Sequence, residues 1–562
     1  MRVHPLARLS RSEAQGPGVA LLLERARAAG ALVDVQDPAL LEIVDRLDGL
    51  PLAIELAARR LTSMTPAELE VRLSRSFDLL EAADGWRQRR ALRATIDWSF
   101  GLLSPTSRQM FAALSVCEGG FGLELAEALG AALGLHEGEV ADAIADLWDQ
   151  SLIGTEASEP GRARYRMLAL ISDYSSRQLD VDGNRAKVAE AHAVYFASLA
   201  ARLSKCPYGP QEPGNVATVD LEFDNIRAAF SWCVAEGKWD LGMHLLDSVV
   251  PELVVRGRIE IGRWATETLA TLGEIEHAMQ AVALAVAANM ALVEGRLSDA
   301  ESLSRKSLEL EARLGAPVTW LSRNVLALAC ASGSQFEEAE EFLEGLVEIT
   351  VVSGDPMPHA VACFDRALVA SFSNDPAGGL PWAQELYALG DRWRSASLRA
   401  MGLVSIGRVL SAEDPERARS ALVEAVTLAE ASHSGLLADQ AKRVLSEMHA
   451  ARGGHRAGLA ALGELLQGFG RSGDLSQQLQ TVVSTLDPLM AVGAFDVATQ
   501  LCGGLGQTAL GSVAQCERAL EASRTRLSND AYRTAFGRGA DLSPTELMRV
   551  AAAEIERLTA QR

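Results

Sequence analysis

Apolar residues recur at helical spacing along most of the chain, and the pattern itself repeats. A turn of small residues is followed each time by a helix with Ala or Leu three and four positions apart. The segments EGKWDLGMHLL at Gly237 and RGRIEIGRWATETL at Gly257 are the first of these. From Gly257 the turns at Gly295, Gly333, Asn374, Asp414, Gly453 and Gly493 follow at steps of 38, 38, 41, 40, 39 and 40 residues. A fixed period in this range predicts stacked helical hairpins, because no hairpin of that size can bury its own apolar face. The expectation is an α-solenoid over residues 221–511 whose long concave surface binds other molecules.

The segments before and after read differently. Residues 1–15 form a lead-in. Within 16–87 a small helical bundle is expected: a helix at 19–29, a second started by Asp37-Pro38 with a stripe of Leu40, Leu41, Val44 and Leu47, a break at Gly49-Leu50-Pro51, and a helix opened by the capping box Thr65-Pro66-Ala67-Glu68. Residues 88–180 hold helices through Ile96 and Phe100, after Ser104-Pro105, at 123–129 and at 140–149. Two short apolar stretches then flank the turn Glu159-Pro160-Gly161, and helices followed by a hairpin are the pattern of a winged-helix module. Residues 181–220 read as a linking helix (184–203) and a Pro- and Gly-bearing loop (206–215). Residues 512–562 read as a helical cap, with helices at 513–526 and after the capping box at Ser543-Pro544-Thr545-Glu546. The fold class predicted is therefore mostly all-α.

Composition narrows the functions. With 48% hydrophobic and only 5% aromatic residues, the chain suits closely packed helices. Its net charge of −21 repels nucleic acid and anionic membrane unless a basic patch is segregated. The cysteines at 117, 206, 233, 330, 363, 502 and 516 include no CxxC pair, which points to free buried thiols in a reducing cytoplasm. The histidines show no metal-binding spacing. The longest apolar run, AVALAVAANMALV from Ala281, is interrupted by Asn289 and reads as a repeat helix rather than a membrane span. The first residues lack the apolar core of a signal peptide. No nucleophile–base or paired-carboxylate arrangement is evident, so a non-catalytic, cytoplasmic protein is expected.

Several stretches carry a resemblance. RLDGLPLAIELAARRL (46–61), RRALRATIDWSFGLLSPTSRQMFAALSVCEGGF (89–121), ARYRMLALISDYSSRQL (163–179), LEFDNIRAAFSWCVAEG (221–237) and SNDAYRTAFGRGADLSPTELMRVAAAEI (528–555) are similar to the STAND class of signal-transduction ATPases. More narrowly, they resemble bacterial NB-ARC-type transcriptional regulators that carry tetratricopeptide repeats. In that family a P-loop, a Walker B strand and a sensor arginine precede the GLPL segment. Here no GxxxxGK[ST] occurs, and the only Gly-Lys pair, Gly237-Lys238, is followed by Trp239. Met1 falls where the family's nucleotide-binding core would end. The resemblance implies a regulatory arm without its motor, with ATP or ADP bound only where a P-loop domain is supplied elsewhere. It assigns Pro51 a contact with the nucleotide base, with Gly49 and Leu50 shaping the turn. The family's Met-His-Asp triplet corresponds to Met167-Leu168-Ala169, which lacks the histidine and the aspartate; an apolar Leu168 is expected to be core.

Arg162, Arg164 and Arg166 lie at alternating positions on the expected wing, which places them on one face of a strand, where they could meet phosphates. The resemblance favours a switch module packed against an ATPase over a DNA reader. Trp98 and Trp148 are expected to anchor the core. The leading expectation is a regulatory and interaction arm whose repeats bind a peptide, protein or small inducer and signal to an ATPase and DNA-binding output. The alternatives are a regulator that touches DNA through the winged helix, and an ATPase subunit completed by a separate P-loop chain.

Overall fold

The computed structural model describes residues 16–28, 30–31, 33–35, 37–46, 54, 57–58, 61–62, 64–73, 100–150, 152–156, 163–204, 208–273, 275–315, 320–332, 335–372, 375–472, 475–506, 508 and 514–560. Two compact units emerge, one of residues 1–196 with 222–229, the other of 197–221 with 230–562.

In the first unit, α1 (Pro17–Ala28), α2 (Ala39–Arg46) and α3 (Pro66–Leu73) surround a core of Leu22, Leu40, Ile43, Ile54 and Leu69. The predicted start signals operate as written. Asp37 Oδ1 accepts from Ala39 N at 2.9 Å. Thr65 Oγ1 accepts from Glu68 N while Glu68 Oε2 accepts from Thr65 N at 2.9 Å, closing the capping box. Gly49, Leu50, Pro51, Trp98 and Arg162 lie outside the described residues.

The winged-helix module follows. Ser104 Oγ accepts from Ser107 N at 3.0 Å and starts α4 (Pro105–Ala113). Then come β1 (Phe121–Gly122), α5 (Leu123–Leu133), α6 (Glu137–Asp149), β2 (Gly154–Glu156) and β3 (Arg164–Arg166). The three strands are antiparallel in the order β1-β3-β2, with Tyr165 opposite both Phe121 and Thr155. Met110, Phe111, Leu129, Val140, Ile144 and Leu147 are buried. Strand β1 was not expected, since two residues are too short to show a period of two. Helix α7 (Ala169–Val181) and the first part of α8 (Arg185–Ser204), up to residue 196, extend the unit.

Helix α9 (Glu212–Ala235) supplies residues 222–229 to this unit and its remaining residues to the second. It begins inside the stretch expected to be a loop. Pro213 sits in the first turn, where no backbone N–H is required of it, so the proline opens the helix instead of breaking it.

In the second unit α10 (Trp239–Ser248), α11 (Val250–Arg256) and α12 (Glu260–Leu272) lead into six hairpins. These are α13 (Ala278–Val293) with α14 (Leu297–Leu314), α15 (Trp320–Ser332) with α16 (Phe336–Ser353), and α17 (Met357–Phe372) with α18 (Pro376–Trp393). The others are α19 (Ala396–Leu410) with α20 (Pro415–Ala431), α21 (Gly435–Ala451) with α22 (His455–Ser472), and α23 (Leu475–Ala491) with α24 (Phe495–Leu505). The second helices begin 39, 40, 39, 40 and 40 residues apart, the period seen in the sequence. Packing is tight at small residues: a Cβ on Gly402 would lie 2.6 Å from Tyr387 N, so α18 and α19 touch backbone to backbone.

Helices α25 (Ala514–Arg526), α26 (Asn529–Ala540) and α27 (Pro544–Ala560) follow the last hairpin. Ile555 and Leu558 share a core with Leu459, Leu466 and Leu501, covering the apolar end of the stack. Helix α26, capped by Ser528 Oγ accepting from Ala531 N, was not anticipated. The fold is mostly helical, with one small sheet.

Candidate functional site

In the winged-helix module the helix in the recognition position is α6. Its sequence EGEVADAIADLWD contains five carboxylates and no Lys or Arg. Val140, Ala143, Ile144 and Leu147 turn inward, leaving Glu137, Glu139, Asp142 and Asp149 exposed. Such a face repels a phosphate backbone. Trp148 is 53% exposed on the same helix, not the core anchor expected of it, because the buried stripe ends one position earlier at Leu147.

Arg164 and Arg166 share a face of β3, but it is turned onto carboxylates. Arg164 is 5% exposed; its Nη1 donates to Glu222 Oε1 at 2.5 Å and its Nη2 to Gly119 O at 2.9 Å. Arg166 Nη1 donates to Glu156 Oε1 at 3.0 Å. Arg164 is therefore a buried structural cation, which corrects the expectation that it could meet phosphate. Asn225 Nδ2 donates to Glu222 Oε2 at 2.7 Å and to Gly120 O at 2.9 Å, while its Oδ1 lies 3.5 Å from His192 Nε2. Burial pushes the His192 pKa down to about 4, against the pull of Asn225, so the ring is neutral at pH 7. Met167 is buried and Leu168 is half-buried at the start of α7.

The second unit holds a cavity of about 190 Å³ within the array. It exists because the repeats coil tightly instead of forming an open groove. Gly257, with φ of +71° ending α11, brings the chain so near α21 that a Cβ there would lie 3.7 Å from Leu436. Glu212, at the start of α9, reaches Ser395 between α18 and α19. The expected long concave surface is therefore narrowed to a partly open cavity.

The first helices of all six hairpins each place one polar side chain or more on this cavity: Asn289, Asn324, Asp365, Arg408, Gln440, and Gln477 with Gln480. Asn324 Nδ2 donates to Asp365 Oδ2 at 2.6 Å. Burial nonetheless pushes the Asp365 carboxyl up to about 8, so it is mostly protonated at pH 7. Arg408 is half-buried, lies over the Phe364 ring at 5.9 Å, and is pushed down to about 9 by burial and by neighbouring Arg443; it remains a cation at pH 7. Gln440 is 8% exposed, and its Oε1 has no hydrogen-bond partner among the described residues.

Sequence reasoning missed these residues. Each is one polar position among several in an amphipathic helix, and helical spacing does not say which of them faces the inside of the array. Asn289 was noticed only as an interruption of an apolar run. The available signal was that the first helix of every repeat carries such an interruption.

Among the described residues no helix is long and apolar enough to cross a membrane, and the six described cysteines are free thiols. The family model of a winged helix-turn-helix domain matches residues 103–180. A Mycobacterium tuberculosis (strain H37Rv) protein named "Putative HTH-type transcriptional regulator" is 31% identical over 365 residues, covering 62% of this chain and 40% of that protein. Regulatory protein AfsR of Streptomyces coelicolor is 26% identical over 338 residues, covering 54% of this chain and 33% of AfsR. The chain thus spans well under half the length of these relatives. A crystal structure of a STAND protein with a tetratricopeptide repeat sensor from Pyrococcus horikoshii aligns over 98% of this chain and 75% of that one, with a TM-score of 0.44 and 12% identity.

Proposed function

We propose that this chain is the sensing and regulatory arm of a transcriptional regulator, and that its solenoid captures a small effector inside the array. The observation that carries this reading is the cavity onto which six successive repeats each project polar groups. Polar side chains in an apolar interior are costly unless something satisfies them. A pocket that is mostly apolar with a few convergent polar groups is the usual form of a small-molecule site. A cavity of about 190 Å³ favours a small inducer over a peptide or protein.

In this reading the winged-helix unit acts as a switch module and does not read DNA through α6, whose exposed carboxylates oppose phosphate. Helix α9 is the element that would carry occupancy of the solenoid to the wing, since its Glu222 and Asn225 hold Arg164 and the Gly119-Gly120 turn. Transmission of this kind requires contacts that differ between two states. ATP hydrolysis and DNA contact would belong to an output domain supplied elsewhere, whose bound nucleotide base Pro51 of this chain would meet, with Gly49 and Leu50 shaping the turn.

Equilibrium dialysis of the full chain against a metabolite extract tests the proposal. One or a few small molecules should be enriched by the wild-type chain and lost from a folded V361W variant that fills the cavity. Enrichment of none, or equal enrichment by both proteins, would remove it.

A further inference from the structure

The cavity's polar groups have a sign. We propose that the site is built for a small organic oxyanion with an apolar body, its charged head on Arg408 and its body against Leu253, Val361, Met401 and Leu436. This rests on the reading of the cavity as the sensor site and names the chemistry of what enters it.

Charge comes first. Among the described residues no carboxylate lies within ion-pairing distance of Arg408, although the chain as a whole carries −21. The neighbouring guanidinium of Arg443 is already engaged, with Nη1 3.3 Å from Glu447 Oε1 and Nη2 donating to Gln480 Oε1 at 2.9 Å. The one carboxyl lining the cavity, Asp365, is held by Asn324 and favours its neutral form. The interior is left with an excess positive charge, which a bound anion would neutralise. A cationic ligand would find no carboxylate ready for it.

Hydrogen bonding agrees. With its oxygen on Arg443, the Gln480 amide keeps its NH₂ as the remaining donor. Protonated Asp365 supplies an O–H, and Arg408 offers a planar fork suited to two oxygens. Gln440, buried with an unpartnered Oε1, would gain a partner from a ligand hydroxyl or amine, or from a water held beside it.

Size and polarity set the rest. An engineered apolar cavity of about 150 Å³ accommodates benzene, so about 190 Å³ suits an acid of roughly eight to ten heavy atoms. The walls between the polar positions are mostly Leu, Val, Ile and Met with Phe364, which would hold a short branched or aromatic body.

Calorimetry and thermal shift on the full chain test the assignment with four probes: phenylacetate, 4-methylpentanoate, phenyl phosphate and phenylacetamide. At least one oxyanion should bind roughly tenfold or more tightly than the neutral amide, a difference of about 1.4 kcal/mol. The acids against phenyl phosphate distinguish a carboxylate from a phosphate head. A folded R408Q chain should lose roughly tenfold or more in affinity for that oxyanion, R408K should retain part of it, and R452Q, on the exposed pair with Glu416, should retain all of it. If R408Q does not fold, the acid–amide comparison in the wild type decides. Amide binding equal to acid binding, undiminished binding by folded R408Q, or no oxyanion binding at millimolar concentration would overturn the assignment. Dialysis that still enriches a neutral molecule would leave the sensor reading standing while the oxyanion falls.

Discussion

Ser395 Oγ donates to Glu212 Oε2 at 2.7 Å across 183 residues of sequence. The same hydroxyl accepts from Leu398 N and so caps α19, which makes one serine both a helix start and a tether. Glu212 is fully buried; Arg256 lies 3.6 Å from its other oxygen and pairs with Glu252 at 2.9 Å. This cluster ties the start of α9 to the middle of the array and helps close the interior around the cavity.

Removing the carboxylate leaves a buried guanidinium with one partner fewer. E212A should therefore destabilise the solenoid by on the order of 3 kcal/mol, whereas S395A should cost about 1 kcal/mol. Urea unfolding followed by circular dichroism measures both; midpoints unchanged from wild type would show the tether to be dispensable.

Asp365 has a raised pKa, so the folded chain keeps a proton that the unfolded chain releases above the ordinary carboxylate range. Its contribution is present at acid pH and is lost as pH rises from about 4 through about 8. D365N mimics the neutral form and keeps an acceptor for Asn324. At pH 8 it should be more stable than wild type by on the order of 1–3 kcal/mol, with the difference shrinking towards pH 5. Thermal melts across this range check it, and a D365N chain less stable than wild type at pH 8 would contradict it.

His192 shifts the other way. Its folded pKa is depressed from 6.5 to about 4, so stability is complete above pH 6.5 and declines as pH falls towards 4. At pH 5 the loss attributable to this residue is about 2 kcal/mol. H192Q should show a correspondingly shallower acid destabilisation, and an NMR titration of His192 near 6.5 in the folded chain would rule out the neutral buried ring.

Gly402 marks a close approach of α18 and α19. G402A places a methyl against the Tyr387 backbone and should cost on the order of 1–3 kcal/mol through overpacking. G468A, at a helical glycine with open space around it, is the matched control and should be neutral or mildly stabilising. Equal melting temperatures for the two variants would contradict the packing account.

The acidic exposed face of α6 predicts no retention of duplex DNA by this chain in a gel-shift assay at physiological salt, with R166A giving the same result as wild type. Salt-sensitive retention that R166A weakens would restore the DNA-reading alternative.

The repeat period was readable because each hairpin reuses the same physical solution, a small-residue turn such as Gly295 followed by an amphipathic helix. The capping boxes at Thr65 and Ser543 were readable because their hydrogen bonds are local. What escaped notice depends on contacts distant in sequence. Pro213 looks like a loop residue until its place in the first turn of α9 is seen. Trp148 follows the buried stripe of α6 by one residue, and helical spacing alone does not say where that stripe ends. Arg164 looked free for phosphate because its partner Glu222 lies 58 residues away. The cavity was hidden for the same reason. Asn289, Asp365 and Arg408 are ordinary interruptions singly, and only coiling of the array brings them to one interior.

Hydrogen exchange of the full chain, with and without the molecule enriched by dialysis, tests the central claim most directly. Occupancy of the cavity predicts slowed exchange in α11, α13, α15, α17, α19, α21 and α23, the helices that line it, with little change in the paired helices α14 and α20. Protection confined to the paired helices or to the winged-helix unit, with the lining helices unaffected, would contradict capture inside the solenoid.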